Sequence, residues 1–412
     1  MSLANGRTYL AIPGPSVVPD RVLNAMHRAA PNIYEGPIVT LTESVVSDLK
    51  RVVGTAHHAA LYIGNGHAAW EAALANTHAR GDKTLVLATG SFAKGWGRNA
   101  AGLGLEVEVL DFGTRATLDL DRISAYLRAD KSHQIRSILL VHVDTASSVR
   151  NDIAALRACV DEAGHPALLM VDCIASLACD AFDMDAFGAD VTVAACQKGL
   201  MTPPGMAFVF FNPKAALARE RADCVTAYWD WKPRANPAIY PEYFCGTTLT
   251  HHLFGIRAAL DMIFEEGLPA VFTRHSILAR AAWAAFDTWG RAGDLSMNIA
   301  DPDTRSCAVT TIRLRAPDGT RLRKWVEQNA GLTLGIGLGM APPDDPAWHG
   351  FFRLGHMGHL NAPMLLGALG TIEAGLTALE IEHASGALDA AARVCAQPSA
   401  TISEIKTKAA IA

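Results

Sequence analysis

The sequence has no Cys-x-x-Cys pair, no long apolar run and no basic stripe. A bilayer-spanning helix needs roughly 18 or more consecutive apolar residues, so no membrane span is expected. The stretch Met1 to Arg7 lacks the apolar core of a secretory signal, which makes the cytoplasm the expected address. The net charge is only -5, and nucleic acid is excluded as an expected partner. The eight cysteines (Cys159, Cys173, Cys179, Cys196, Cys224, Cys245, Cys307 and Cys395) are scattered. Without paired spacing they offer neither a zinc site nor a disulfide framework, and they read as free thiols of a reducing compartment. Two adjacent histidine pairs, His57-His58 and His251-His252, point apart on any regular element. They read as structural or surface residues, and no metal is expected.

What remains is an ordinary globular composition, 50% hydrophobic and 19% charged over 412 residues. That length is too great for one small core and implies two or three domains. In the middle of the chain short apolar runs alternate with helical patterns. Strands are expected at Lys83–Ala88, 105–110, Ile135–Val141, 167–171, 190–194 and 206–211, with helices such as 68–79 and 152–163 between them. Runs such as Leu139-Leu140-Val141 and Leu168-Leu169-Met170-Val171 are apolar on both faces, as strands of a helix-covered parallel sheet must be. Alternation of this kind predicts βαβ units and a mainly parallel sheet, an α/β fold. From about Leu253 the pattern changes to long helices (255–266, 270–291), a short strand (309–314) and further helices (321–329, 364–379), a second and smaller α/β unit. The expected organisation is an N-terminal segment at 1–20, a large domain at 21–260, a small C-terminal domain at 261–385 and an Ala-rich peripheral tail at 386–412.

Open parallel sheets bind ligands at the carboxyl ends of their strands, and three features there fit one cofactor. Gly64-Asn65-Gly66-His67-Ala68 precedes the helical run 68–79, where glycines and a helix dipole favour a phosphate. Alone, a glycine turn before a helix is usually structural. Asp172 ends the apolar run 167–171; such a carboxylate either caps the next helix or pairs with a pyridinium nitrogen, which keeps an electron-withdrawing ring protonated. Lys198 lies in Ala194-Ala195-Cys196-Gln197-Lys198-Gly199-Leu200, a run with no other charge. A lone lysine is ordinarily a solvated surface residue, but a desolvated one has the lowered pKa that covalent amine chemistry needs. One βαβ step separates Asp172 from Lys198, which puts them on neighbouring strands at one sheet edge. Phe92 follows the strand Lys83–Ala88 and can stack on a flat ring, or simply fill core. Arg353, among apolar residues in Phe351-Phe352-Arg353-Leu354, requires an anion, either a substrate carboxylate or an internal partner.

Together these segments resemble the class V aminotransferases of fold type I, over nearly the whole chain, and in pattern the serine–glyoxylate and alanine–glyoxylate enzymes of that family. Pro13-Gly14-Pro15-Ser16 resembles the family's N-terminal turn beside the substrate, and Gly64 to Leu74 its phosphate-loop helix. Val171-Asp172 with Ala175-Ser176-Leu177 resembles the pyridine-nitrogen strand. Gln197-Lys198-Gly199-Leu200-Met201-Thr202-Pro203-Pro204-Gly205, the most specific match, resembles the Schiff-base segment, and Arg353-Leu354-Gly355-His356 the carboxylate-binding segment.

The resemblance implies pyridoxal 5'-phosphate as cofactor. Lys198 would be the catalytic residue; Gly66, His67, Ala68, Phe92, Thr145, Asp172, Gln197 and Thr247 would bind the cofactor, and Arg353 and Gly14 the substrate. It also implies a homodimer, with Thr247 reaching the phosphate of the neighbouring subunit. The expected reaction is transamination between a small amino acid of the serine or alanine type and a small 2-oxo acid such as glyoxylate or pyruvate. The chain departs from the family at Ile33-Tyr34-Glu35-Gly36-Pro37, where the serine–glyoxylate enzymes usually show His-Arg-Ser, and at Gly246, where an aromatic is usual. Pyridoxamine–pyruvate aminotransferase, which takes a free vitamin, is an alternative; it carries a glutamate in place of Asn65 and an extra arginine in the 335–339 region, and this chain has neither. A cysteine desulfurase-like lyase is a second alternative, but it usually has a histidine where Gln197 stands. A cofactor-binding regulator is a third, without any added DNA-binding segment to support it.

Overall fold

The computed structural model describes residues 2–397. The strands in chain order are β1 (Tyr9–Ala11), β2 (His58–Gly64), β3 (Lys83–Ala88), β4 (Glu106–Asp111), β5 (Ile135–Val141) and β6 (Leu168–Asp172). They continue with β7 (Val191–Ala195), β8 (Gly205–Phe211), β9 (Ser296–Met297), β10 (Val309–Arg313), β11 (Leu332–Ile336) and β12 (Phe351–Gly355). Seven of them form one sheet in the order β2-β8-β7-β6-β5-β3-β4. Strands β7, β6, β5, β3 and β4 run parallel, while β8 is antiparallel to both β7 and β2.

Burial explains the composition of these strands. Leu85, Leu87, Ile138, Leu140, Leu169 and Val171 face one core, and Val86, Leu139, Met170, Val191 and Val193 face the other. A strand buried on both sides must be apolar at every position, which is why the alternation of half-exposed strands is missing here. Each expected strand of this sheet is present within a residue or two, and the helices at Gly66–Thr77 and Ile153–Glu162 match the expected stretches. The run 206–211 reads like its neighbours, yet β8 runs the opposite way; both directions bury the same apolar faces, so burial alone does not distinguish them.

The other five strands form a second sheet, β1-β11-β12-β10-β9. It packs against the helices Leu268–Trp289 and Ala362–Ala378 through Phe286, Trp289, Phe352, Leu354, Leu369 and Ile372. The N-terminus contributes β1, parallel to β11. Pro13 to Ser16 therefore leave the second sheet and run directly to the edge of the first. In the expected tail, the helix Ala387–Ala396 buries Ala387 and Ala391 in this second core; residues 398–412 lie outside the described residues. No helix among the described residues is long and apolar enough to cross a membrane.

Phe352 is fully buried and packs on Phe286 with ring centroids 6.1 Å apart. Phe352→Ala should cost about 3–5 kcal/mol, read as a fall in the urea unfolding midpoint. A loss below about 1 kcal/mol would contradict the placement of this ring in the second core.

Candidate active site

In the seven-stranded sheet the chain moves outward from β3 to β4, crosses back to β5 and then moves inward from β5 to β6. The reversal opens a crevice at the carboxyl ends of β3 and β5, the place where open α/β sheets take ligands. A cavity of ≈ 270 Å³ lies at this edge. Gly14, Gly66, His67, Phe92, Thr145, Asp172, Gln197 and Lys198 all line it, so most of the sequence-assigned residues converge. Ala68 and Arg353 do not line it, and Thr247 lies exposed on the surface.

Asp172 and Lys198 stand as expected. Asp172 ends β6, whose partner is β7, and Lys198 follows β7 by three residues. The lysine is buried, and its Nζ donates to the carbonyl of Pro13. Its own backbone is pinned by Ser16, whose Oγ donates to the Lys198 carbonyl at 2.7 Å and whose N–H donates to the Gln197 carbonyl at 2.9 Å. Two glycines make room. A Cβ on Gly14, which has φ +96°, would strike the Lys198 side chain, and a Cβ on Gly199 would strike the Leu177 carbonyl. Burial, reinforced by the positive charge of Arg353, lowers the Lys198 amine to about 8.

Burial acts in the opposite direction on Asp172, pushing its carboxyl up to about 7. Two donors oppose that rise. The Ile174 N–H donates to Oδ1 and the Trp70 indole N–H to Oδ2, each at 2.7 Å. Arg353 lies behind Thr145: its Nη1 donates to the Thr145 carbonyl at 2.8 Å and its Nε to the Ile336 carbonyl at 2.7 Å. Burial lowers the guanidinium to about 10, and the negative charge of Asp144 partly offsets this.

Asp144 is a residue to which the sequence reading gave no role. Its Oδ2 accepts from the N–H groups of Phe92 at 2.8 Å and Ala93 at 3.3 Å, and its Oδ1 accepts from Ala146 N–H at 2.9 Å. The helix Ser91–Gly102 has no side-chain cap of its own, so a carboxylate from the next loop supplies one. The signal was present: Asp144 follows strand β5 much as Asp172 ends β6. At the phosphate loop, Asn65 caps the helix Gly66–Thr77 by accepting from the His67 N–H at 3.1 Å. That N–H is therefore already bonded, and the Ala68 N–H bonds back to the Asn65 carbonyl.

The thiols around the site are poor nucleophiles. Burial raises Cys179 to about 12 and Cys196 to about 11, and Cys173 rises as well. The two histidines of the 251–252 pair bond different carbonyls, those of Arg28 and Pro204.

The two-sheet architecture is that of the fold type I pyridoxal-phosphate transferases. The crystal structure of ureidoglycine–glyoxylate aminotransferase from Bacillus subtilis matches it with a TM-score of 0.85, covering 96% of this chain and 100% of that one at 22% identity. The chain belongs to the class-V aminotransferases: the family model "Aminotransferase class-V" matches residues 8–342. Serine–glyoxylate aminotransferase of Methylorubrum extorquens is 37% identical over 384 residues, 90% of this chain and 91% of that protein. L-aspartate–glyoxylate aminotransferase of Paracoccus denitrificans is 33% identical over 368 residues, 88% and 89% respectively. The residues of the cavity suit the family's cofactor. A buried amine of lowered pKa and a buried carboxylate line one cavity, and the carboxamide of Gln197, which can donate through Nε2, lines it with them.

In cofactor-free protein, the rate of acetylation of Lys198 by acetic anhydride, which takes the neutral amine, should rise with a midpoint of about pH 8 rather than the ordinary 10.5. Removing the neighbouring positive charge with Arg353→Ala should move that midpoint upward. Mass-spectrometric rates that show a midpoint above pH 10 in the unmodified protein would contradict the buried placement of this amine.

Proposed function

We propose that the protein catalyses transamination between a small amino acid, of the serine or alanine type, and a small 2-oxo acid such as glyoxylate or pyruvate, using pyridoxal phosphate. The observation that carries this reading is the convergence of Lys198, Asp172, Gln197 and the start of the helix Gly66–Thr77 on one cavity. The two relatives compared are both named for glyoxylate, one with serine and one with aspartate as donor.

When bound, pyridoxal phosphate supplies an electrophilic carbonyl carbon and a ring that accepts electrons from the substrate's Cα. Lys198 is the attachment point, and its Nζ takes and returns the proton at the substrate Cα. A pKa of about 8 leaves an appreciable neutral fraction at physiological pH, as a base requires. Asp172 holds a charge against the ring nitrogen. Phe92 would stack on the ring, and Thr145 would bond near its phenolic oxygen. Gly66, His67, Ala68 and Gln197 are the residues that would hold the phosphate, at the positive end of a helix dipole. Arg353 binds the substrate carboxylate with its remaining N–H groups, beside Gly14, and so turns the bond to be broken toward the ring.

Thr247 is exposed and does not line the cavity of its own chain. We assign it to the phosphate site of a second copy, which makes the working unit a homodimer with shared sites. The 21–260 region is the cofactor domain in this reading and 261–385 the smaller domain that carries Arg353. The eight free cysteines favour a reducing compartment such as the cytoplasm.

Lys198→Ala should lower kcat by at least about 10²- to 10⁴-fold, measured as glycine formed from glyoxylate with serine or alanine as donor. Retention of transamination in that variant would overturn the mechanism. Arg353→Gln should raise KM for the amino acid by about ten- to hundredfold, because it removes a charge-assisted bond to the carboxylate. An unchanged KM would remove Arg353 from the substrate site.

A further inference from the structure

Trp70 lies one helical turn beyond Gly66 in the helix Gly66–Thr77, and it is 1% exposed. Its indole N–H is the donor that reaches Asp172 Oδ2 at 2.7 Å. We propose that Trp70 is a positioning residue for Asp172, fixing one carboxylate oxygen so that the carboxylate meets the ring nitrogen of the cofactor as an anion. This rests on the assignment of Asp172 to the ring nitrogen made above.

Three observations carry it. First, the indole is immobilised: it stacks on Trp96 with centroids 6.0 Å apart and planes at 14°, meets Phe92 edge-on at 6.3 Å and lies 4.6 Å from the His67 ring. Second, packing alone does not explain the bond. The neighbouring Trp96 is equally buried in the same stack, and its Nε1 has no partner. Third, an indole N–H only donates, so it can bond a carboxylate lone pair and favours the anion over the acid.

Asp172 is balanced between its two forms. Burial raises its pKa, the Ile174 and Trp70 donors lower it, Asp144 raises it and Lys198 lowers it. The result, about 7, leaves no reserve at neutral pH. Losing one of the two donors would move the carboxyl upward, so that it would compete better with a ring nitrogen for the proton between them. Trp70 also joins two parts of the site. The helix that begins at the phosphate loop carries the side chain that sets the charge at the opposite end of the cofactor.

The test uses the holoenzyme loaded with pyridoxal phosphate labelled with ¹⁵N in the ring, read by NMR at neutral pH. Trp70→3-benzothienylalanine replaces the N–H with sulfur and keeps the ring shape, so folding is preserved; Trp70→Phe is the second variant. The proposal predicts that the nitrogen signal moves from the pyridinium toward the neutral pyridine position, its titration midpoint falling by about one pH unit. It predicts a kcat about tenfold lower with KM for the amino acid within about twofold of the unmodified enzyme. Asp172→Asn is the reference. A nitrogen signal that moves in Asp172→Asn but not in either Trp70 variant overturns the proposal and leaves the Asp172 assignment standing. A signal unmoved in Asp172→Asn overturns both.

Discussion

The burial of a lysine amine and a carboxylate at the carboxyl edge of one sheet is the constraint on which the rest of the site depends. Neither charge is favourable away from water unless something nearby answers it. Lys198 is answered by the Pro13 carbonyl, and Asp172 by the Ile174 and Trp70 N–H groups. The surrounding sequence serves those contacts. Gly14 and Gly199 are small because a side chain would collide with Lys198 or with the Leu177 carbonyl. Ser16 ties the N-terminal segment to the Lys198 backbone. The same segment begins as a strand of the second sheet, so the smaller sheet and the lysine are mechanically joined.

Four ionisable groups, two lining the cavity and two packed behind it, act on one another. Arg353 lowers the amine of Lys198, Asp144 partly restores the guanidinium, and Lys198 lowers Asp172 while Asp144 raises it. Burial is the larger cause, and with these charges it brings the lysine down to about 8 and the aspartate up to about 7, toward each other from opposite sides. Perturbation by burial and neighbouring charge is what chemical sites require, and it is seldom arranged by chance in a cleft.

The parallel sheet was legible because strands buried on both faces must be apolar throughout, as Leu139 to Val141 and Leu168 to Val171 are. Lys198 and Asp172 were legible because a lone charge inside an apolar run at a strand end has few explanations. The direction of β8 was not, because an antiparallel strand buries the same residues. The contribution of β1 was hidden by its length of three residues and by a partner more than three hundred positions away. Trp70 stood in the 64–74 segment without a role, since an aromatic in a helix reads as core, and Asp144 lay outside every motif. Only the three-dimensional proximity of Trp70 to Asp172, about a hundred residues apart, reveals the bond. Thr247 came from the family resemblance alone. It lies exposed, outside the cavity lining of its own chain.

The most direct test of the central claim is the visible spectrum of the purified protein, supplied with pyridoxal phosphate and then with serine or alanine. The account predicts a coloured form that bleaches on adding the amino acid and returns on adding glyoxylate or pyruvate, because amine exchange passes through the group held at Lys198. A protein that stays colourless after pyridoxal phosphate is added would contradict the assignment of Lys198, and the function proposed from it.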